Sequence, residues 1–244
     1  MSSADTTRNV IITKEVIKRL IFDVKDLLKF PLDNEGIYYK HDEEDILKGY
    51  ALIIGPKDSL YSGGYYLFTF SFPSNYPHSP PKVSFCTNDG ATRFHPNMYK
   101  CGKVCLSVLN TWKGEQWTSC QSIRSVLLTL LSVLDNEPLL HEPGLTKYHA
   151  DYNHYNDIIM YKNLEFATYS ILTNHEAYLK KPLYSLFGAI IKKRYDLNKT
   201  EILEFIKMKG TEHKDIILIS TSIYHMKTII DWNKLYRLFS EISI

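Results

Sequence analysis

The chain has 244 residues, 44% of them hydrophobic, and a formal charge of +2 at neutral pH. That length holds one large domain, or one domain with an extension. So small a net charge gives no global field for nucleic acid or a membrane surface, and no apolar run approaches the roughly 20 residues that span a bilayer, so the expected partners are proteins or small molecules.

Met1 to Asn9 is polar and lacks the basic-then-apolar pattern of a secretory signal. Residues 1–8 are expected to form a mobile tail. Over about 9–29 one apolar stripe, Val10, Ile17, Leu20, Ile21, Val24, Leu27 and Leu28, predicts a helix that Pro31 stops. Lys14, Lys18, Arg19 and Lys25 lie off the stripe and read as a solvated face. Four short runs, 36–40, 50–54, 65–72 and 82–87, then read as strands. In the third, Tyr66, Phe68, Phe70 and Phe72 share one face and Tyr65, Leu67, Thr69 and Ser71 the other. With turns at Gly55-Pro56 and Ser62-Gly63-Gly64, the pattern predicts a four-stranded antiparallel meander with one face on a core. The proline-rich tract 73–81 is expected to be an ordered loop.

Thr118 or Ser119 is the candidate cap of the next helix, whose stripe is Ile123, Val126, Leu127, Leu130, Leu131 and Leu134. Asn136-Glu137-Pro138 ends that helix, and Glu142-Pro143-Gly144 makes a second turn. Further helices are expected over about 146–172, 182–195, 199–207 and 232–242. Residues 216–219 read equally as a short strand or a buried link. Helix, meander, loop and helices in that order make an α+β architecture.

Residues 93–106 carry the chemistry: Arg93-Phe94-His95-Pro96-Asn97-Met98-Tyr99-Lys100-Cys101-Gly102-Lys103-Val104-Cys105-Leu106. The four cysteines, at 86, 101, 105 and 120, form no dense disulfide framework and are expected as free thiols in a reducing compartment. A thiolate is the best protein nucleophile towards thioesters, which makes Cys105 a candidate. Lys100 and Lys103 either raise its thiolate fraction or are simply solvated. The Asn97 amide offers two donors. Facing a carbonyl attacked at Cys105, it would stabilise the oxyanion, an effect worth roughly 10²–10³ in rate. Otherwise it bonds only backbone. His95, Cys101, Cys105 and Cys120 lack the paired spacing of zinc ligands. A cysteine protease would need His95 as base, and a histidine followed by proline so near in sequence fits that poorly. An inert buried thiol is the remaining reading of Cys105.

His95-Pro96-Asn97 followed by Gly102-x-Val104-Cys105-Leu106 resembles the ubiquitin-conjugating enzymes. So do Tyr76-Pro77-x-x-Pro80-Pro81-Lys82-Val83 upstream and Trp117 before a helix with Val126-Leu127-Leu128. The resemblance covers about 9–175. The longer loop 105–114, the turn Asn136-Glu137-Pro138 to Glu142-Pro143-Gly144, and Tyr155-Asn156 are similar to Z-type members; Asp231-Trp232 and Leu235 are so more weakly. The loop also resembles the conjugating domain of giant inhibitor-of-apoptosis proteins. A composition rich in Ile, Lys, Asn and Tyr suits a giant-virus or protist homologue.

The resemblance implies a conjugating-enzyme (UBC-like) α+β fold: the tail 1–8, a core domain over 9–178 and a mainly helical extension over 179–244. It implies that Cys105 takes ubiquitin, or a ubiquitin-like modifier, from an activating enzyme as a thioester. The modifier then passes to a substrate lysine or a ligase. No metal or organic cofactor is implied. Asn97 would be the oxyanion donor or a loop organiser, with His95, Pro96 and Gly102 shaping the motif. Anchoring on Pro143 selects Glu142 as the group that orients the incoming lysine, whereas counting from the cysteine selects His141. Lys14 and Lys18 would face the activating enzyme. The ligase surface would add His78, Ser79, Thr118, Ser119 and Cys120 to the first helix. Many relatives carry an aromatic residue at the His78 position and Ser-Pro-Ala at Thr118-Ser119-Cys120, which bears on ligase choice. The implied partners are ubiquitin or a related modifier, an activating enzyme, ligases and protein substrates, not nucleic acid or membrane. The implied setting is the cytoplasm or nucleus. The alternative is an inactive variant of the fold that binds ubiquitin or a ligase, although such variants usually lack the nucleophile.

Overall fold

Short apolar runs build the sheet. β1 (Ile37–His41), β2 (Lys48–Ile54), β3 (Tyr65–Ser71) and β4 (Lys82–Phe85) pair antiparallel in chain order, as the alternation predicts. The structure, a computed structural model, describes residues 12–243; the expected tail 1–8 and Val10 lie outside the described residues. In the sheet register Tyr39 faces Ala51, Ala51 faces Phe68 and Phe68 faces Phe85, so these share one face.

A single buried face is only half of what the sheet does. Tyr65 and Leu67, on the other side, are buried too, and Ala51, Leu52 and Ile53 are buried in sequence. A long C-terminal helix, α6 (Leu183–Glu212), covers that side. Its Arg194 donates to the Tyr38 hydroxyl and to the Asp33 carbonyl, both at 2.9 Å. Tyr65 lies within electrostatic reach of Tyr195, Asp196 and Arg194, and burial raises its pKa far above the usual tyrosine value. A sheet covered on both faces favours continuous apolar runs over clean alternation.

Helix α1 (Lys14–Lys29) is capped by the Thr13 side chain, which accepts from the Val16 N–H. Its buried positions are Val16, Leu20, Asp23 and Leu27, a 4-3-4 helical spacing. Ile21 and Leu28, expected in the stripe, are exposed. A carboxylate takes part in the core instead. Asp23 accepts from Arg19 Nε at 2.9 Å, from the Tyr76 hydroxyl, and from the Ile123 N–H at 3.4 Å. Those partners offset the cost of burying its charge and tie three segments together.

Helix α2 (Ile123–Ser132) begins later than Thr118 or Ser119. Ser122 is the cap, and its N–H donates to Ser125 Oγ at 3.0 Å. Thr118 to Gln121 instead forms a turn on the surface. The predicted helix over 146–172 starts at Tyr152 as α3 (Tyr152–Lys162), continues as a π-helical stretch (Asn163–Ser170) and ends as α4 (Ile171–Thr173). The π turn seats Asn163, which accepts from the Tyr66 hydroxyl at 2.6 Å and donates to the Ser62 carbonyl at 2.7 Å. Gly64 makes room for it; a Cβ there would lie 2.0 Å from Asn163 Oδ1.

After the short α5 (His175–Tyr178), the two helices expected over 182–195 and 199–207 are one helix, α6. Asn198 and Lys199 cost too little propensity to break a helix anchored by buried Phe187, Ile191, Tyr195, Ile202 and Ile206. Of residues 216–219, all but Ile216 fall in a strand, β5 (Ile217–Ser220), which pairs with β6 (Lys227–Ile230). Helix α7 (Trp232–Ser240) then packs against α6 through Trp232, Leu235 and Phe239. The α+β fold with a mainly helical extension is therefore present.

Replacing Asp23 with Ala should lower the unfolding free energy in urea by roughly 3 kcal/mol, because Tyr76 and Ile123 lose a buried acceptor and Arg19 loses its counter-charge. Asp23→Asn, which keeps an acceptor, should cost less.

Candidate active site

The stretch 93–106 doubles back on itself. Met98 forms isolated bridges with His95 and with Val104. The Tyr99 N–H donates to the Lys103 carbonyl at 2.9 Å and the Gly102 N–H to the Tyr99 carbonyl at 2.8 Å. Gly102 is required here twice over. Its φ is +85°, and a Cβ would sit 2.9 Å from the Phe85 carbonyl oxygen. The Gly102 carbonyl in turn accepts from the Phe85 N–H at 2.8 Å, which stitches the reversal to β4.

That reversal sets Asn97 against Cys105. The Cys105 N–H donates to the Asn97 carbonyl at 2.9 Å, and Asn97 Nδ2 donates to the Cys105 carbonyl at 2.6 Å. The amide therefore organises the loop. A carboxamide nitrogen carries two hydrogens, and this bond uses one. Cys105 itself is 2% exposed. Val104 and Leu106 on either side join the continuous apolar core, whereas Cys105 does not. Leu106 is extended, so its neighbour's side chain faces the opposite way.

His95 is fully buried, and its Nδ1 accepts from the Asn97 N–H at 3.0 Å. Burial, and then the neighbouring His141 ring, push its pKa down to about 3, so the imidazole is neutral at ordinary pH. Arg93 braces the same turn. Its Nε donates to the His95 carbonyl at 3.2 Å and its terminal nitrogen to the Pro96 carbonyl at 2.5 Å. The guanidinium lies 3.4 Å from the Tyr99 ring centroid and 4.8 Å from that of Tyr224.

The two candidates for orienting a lysine both have partners. His141 Nε2 lies 2.8 Å from Asp135 Oδ2, and its ring centroid is 4.9 Å from that of His95. Burial pushes the Asp135 carboxyl up, but the His141 bond and the Glu137 N–H outweigh it and hold it below its ordinary value. Glu142 accepts from the Tyr224 hydroxyl at 2.5 Å. Lys100 donates to the Tyr224 carbonyl at 2.7 Å, and Lys103 lies over the Tyr99 ring.

A family model described as ubiquitin-conjugating enzyme matches residues 19–163, which include the whole of this loop. The chain belongs to the ubiquitin-conjugating enzyme family. It is 34% identical over 206 residues to ubiquitin-conjugating enzyme E2 Z of Danio rerio, covering 83% of this chain and 62% of that protein. It is 32% identical over 216 residues to the probable ubiquitin-conjugating enzyme E2 R521 of Acanthamoeba polyphaga mimivirus, covering 83% of this chain and 14% of that one. Against the human dual E2 ubiquitin-conjugating enzyme/E3 ubiquitin-protein ligase BIRC6 the identity is 44% over 119 residues, covering 46% of this chain and 2% of that one. The chain thus spans less than two thirds of the length of the relatives it matches. The likeness to Z-type members read from the longer loop agrees with these matches.

In this conjugating-enzyme domain the surface residues singled out in the sequence fall into place near one end of α1. Lys14 and Lys18 are exposed on that helix. Arg19 donates to the Ser119 carbonyl at 2.6 Å and to the Gln121 carbonyl, and Ser119 Oγ lies 3.5 Å from His78 Nδ1. The helix and the two loops therefore meet. Ser79 Oγ accepts from Asn75 Nδ2 at 2.8 Å, and Thr118 is exposed. Cys120 and Cys101 are both exposed. Among the described residues no group of His, Cys, Asp and Glu could hold a metal ion, and no helix is long and apolar enough to cross a membrane.

Sequence reasoning gave no role to Arg93, Asp135 or Tyr224. Arg93 lay inside the conspicuous stretch, but its bonds to His95 and Pro96 depend on the turn being folded. Tyr224 lies 82 positions beyond Glu142, and no local pattern marks it.

Two measurements test this geometry. The unfolded chain, with a histidine pKa near 6.5, takes up a proton before buried His95 does. Stability conferred by His95 is thus present above about pH 6.5 and lost as pH falls towards 3. Its share of the slope in urea titrations should reach about 1.4 kcal/mol per pH unit and vanish in His95→Gln. Asn97→Ala should cost about 1–3 kcal/mol of stability, because the buried Cys105 carbonyl loses its donor. A residue that served only a transient oxyanion would leave stability unchanged.

Proposed function

We propose that this chain accepts ubiquitin, or a ubiquitin-like modifier, as a thioester on Cys105 and transfers it to a substrate lysine or to a ligase. The observation that carries this reading is the reciprocal Asn97–Cys105 pairing, inside the segment that matches the family. In the first step the Cys105 thiolate attacks the thioester carbonyl held by an activating enzyme. A new C–S bond forms, the old one breaks, and the donor cysteine leaves as a thiolate. In the second step a lysine amine attacks the Cys105 thioester. The C–N bond of an amide forms, Cys105 leaves as a thiolate, and the amine gives up a proton.

Both steps start from an activated acyl group, so the protein contributes position and charge stabilisation more than raw reactivity. Asn97 holds the loop through one N–H and offers the other to the transient oxyanion. Glu142 orients the incoming ammonium and assists loss of its proton. With Cys105 2% exposed, docking of the donor has to open the surface above the sulfur. Lys14 and Lys18 on α1 are the proposed contact with the activating enzyme. His78, Ser79, Thr118, Ser119 and Cys120 form the proposed ligase surface, with a histidine where many relatives have an aromatic residue.

The test is charging. The chain is incubated with activating enzymes, ATP and tagged modifiers, then run on a gel without reductant. A reductant-sensitive adduct is expected, and it should be absent in Cys105→Ala. A correctly folded chain that no activating enzyme loads with any modifier would leave the reading without support and favour a binding module.

A further inference from the structure

Tyr224 stands at the tip of the β5–β6 hairpin, well outside the segment that the family model matches. Its backbone is left-handed, with φ 59° and ψ 1°, and His225 follows at φ 49°. Two successive non-glycine residues in this region cost free energy and persist only where their surroundings hold them. The contacts that hold them come from Asp151, before α3, and from the stretch 93–106. Asp151 Oδ2 accepts from the Ser222 N–H at 2.9 Å, from Ser222 Oγ at 2.6 Å and from the Ile223 N–H at 2.9 Å. Burial pushes the Asp151 carboxyl up, but these donors outweigh it and hold it below its ordinary value. Lys100 grips the Tyr224 carbonyl, and Met226 Sδ accepts from the Arg93 N–H at 3.2 Å.

What the strained tip delivers is one side chain that touches two turns. The Tyr224 ring lies against Arg93, which donates to the carbonyls of His95 and Pro96. The Tyr224 hydroxyl donates to Glu142. Burial, followed by the bond to Glu142, raises the phenol far above the usual tyrosine range, so it stays a donor at working pH.

We propose that Tyr224 is a positioning residue of the transfer site. It fixes Glu142 relative to the His95-Pro96-Asn97 turn, and the C-terminal extension thereby becomes a working part of the site. The inference rests on the conjugating-enzyme reading of Cys105 and of Glu142. It adds that lysine transfer depends on a hydroxyl supplied from beyond the shared domain.

The experiment uses the full chain, loaded with fluorescent ubiquitin and then chased with free lysine in a single turnover. Tyr224→Phe removes the hydroxyl and keeps the ring on Arg93. Its rate constant at saturating lysine should fall about tenfold, while the lysine concentration for half-maximal rate stays within about twofold. A merely structural defect would lower the fraction that loads, not the rate constant of molecules already loaded. Glu142→Ala should slow discharge by at least as much. The double variant should be no slower than Glu142→Ala alone, because the hydroxyl acts through that carboxylate. Leu218→Ser, on the exposed face of the hairpin, should behave as wild type. Hydrogen exchange should quicken over 139–145 in Tyr224→Phe.

Wild-type discharge by Tyr224→Phe, or multiplicative effects in the double variant, would overturn the role of Tyr224 and leave the conjugating reading intact. A folded wild type that never loads would remove that reading and the transfer role with it.

Discussion

Buried backbone that belongs to no strand or helix must still find hydrogen-bond partners, and that constraint shapes this molecule around residues 93–105. Thr92 to Met98 is buried throughout, yet only isolated bridges pair it. Side chains fill the gap. The Tyr61 hydroxyl donates to the Phe94 carbonyl and the Tyr155 hydroxyl to the Arg93 carbonyl, each at 2.8 Å. Arg93 serves His95 and Pro96, Asn97 serves Cys105, and His95 accepts from Asn97. Donors thus come from the turn before β3, from α3 and from the loop itself. The position of Cys105 is set by the whole domain, since each of those elements is held by the common core.

The same surroundings keep the fully buried histidine at the centre neutral, although its Nε2 finds no hydrogen-bond partner among the described residues. A charged imidazole there would lie beside Arg93 and His141 with no water to solvate it. The neutral ring instead satisfies a backbone N–H and fills space between Tyr61 and His141. Its contribution is shape.

Much of this was legible in the sequence. The period-two run of β3 and the stripe of α2 gave the sheet and the buried helix, and the His95-Pro96-Asn97 to Cys105 spacing pointed to the loop. Other features were hidden for physical reasons. Asp23 reads as a surface carboxylate until Tyr76 and Ile123, distant in sequence, supply its partners. The second buried face of the sheet depends on α6, which only tertiary packing brings over Tyr65 and Tyr38. Ser122 and Ser119 are equally good caps by residue type, and the fold decides between them. Tyr224 is one tyrosine of 18, and its backbone strain has no signature in residue identity.

The π-helical stretch Asn163–Ser170 begins at the last residue the family model matches. An α-helix turns by about 100° per residue, so one added or removed residue there resets the azimuth of the last turn of that helix, Ile171–Thr173. Ile171 and Leu172, both buried, follow directly on that wider turn. That stretch therefore behaves as an indexing step. A single-residue deletion in it would keep Ile171 and Leu172 and still aim them at the wrong neighbours.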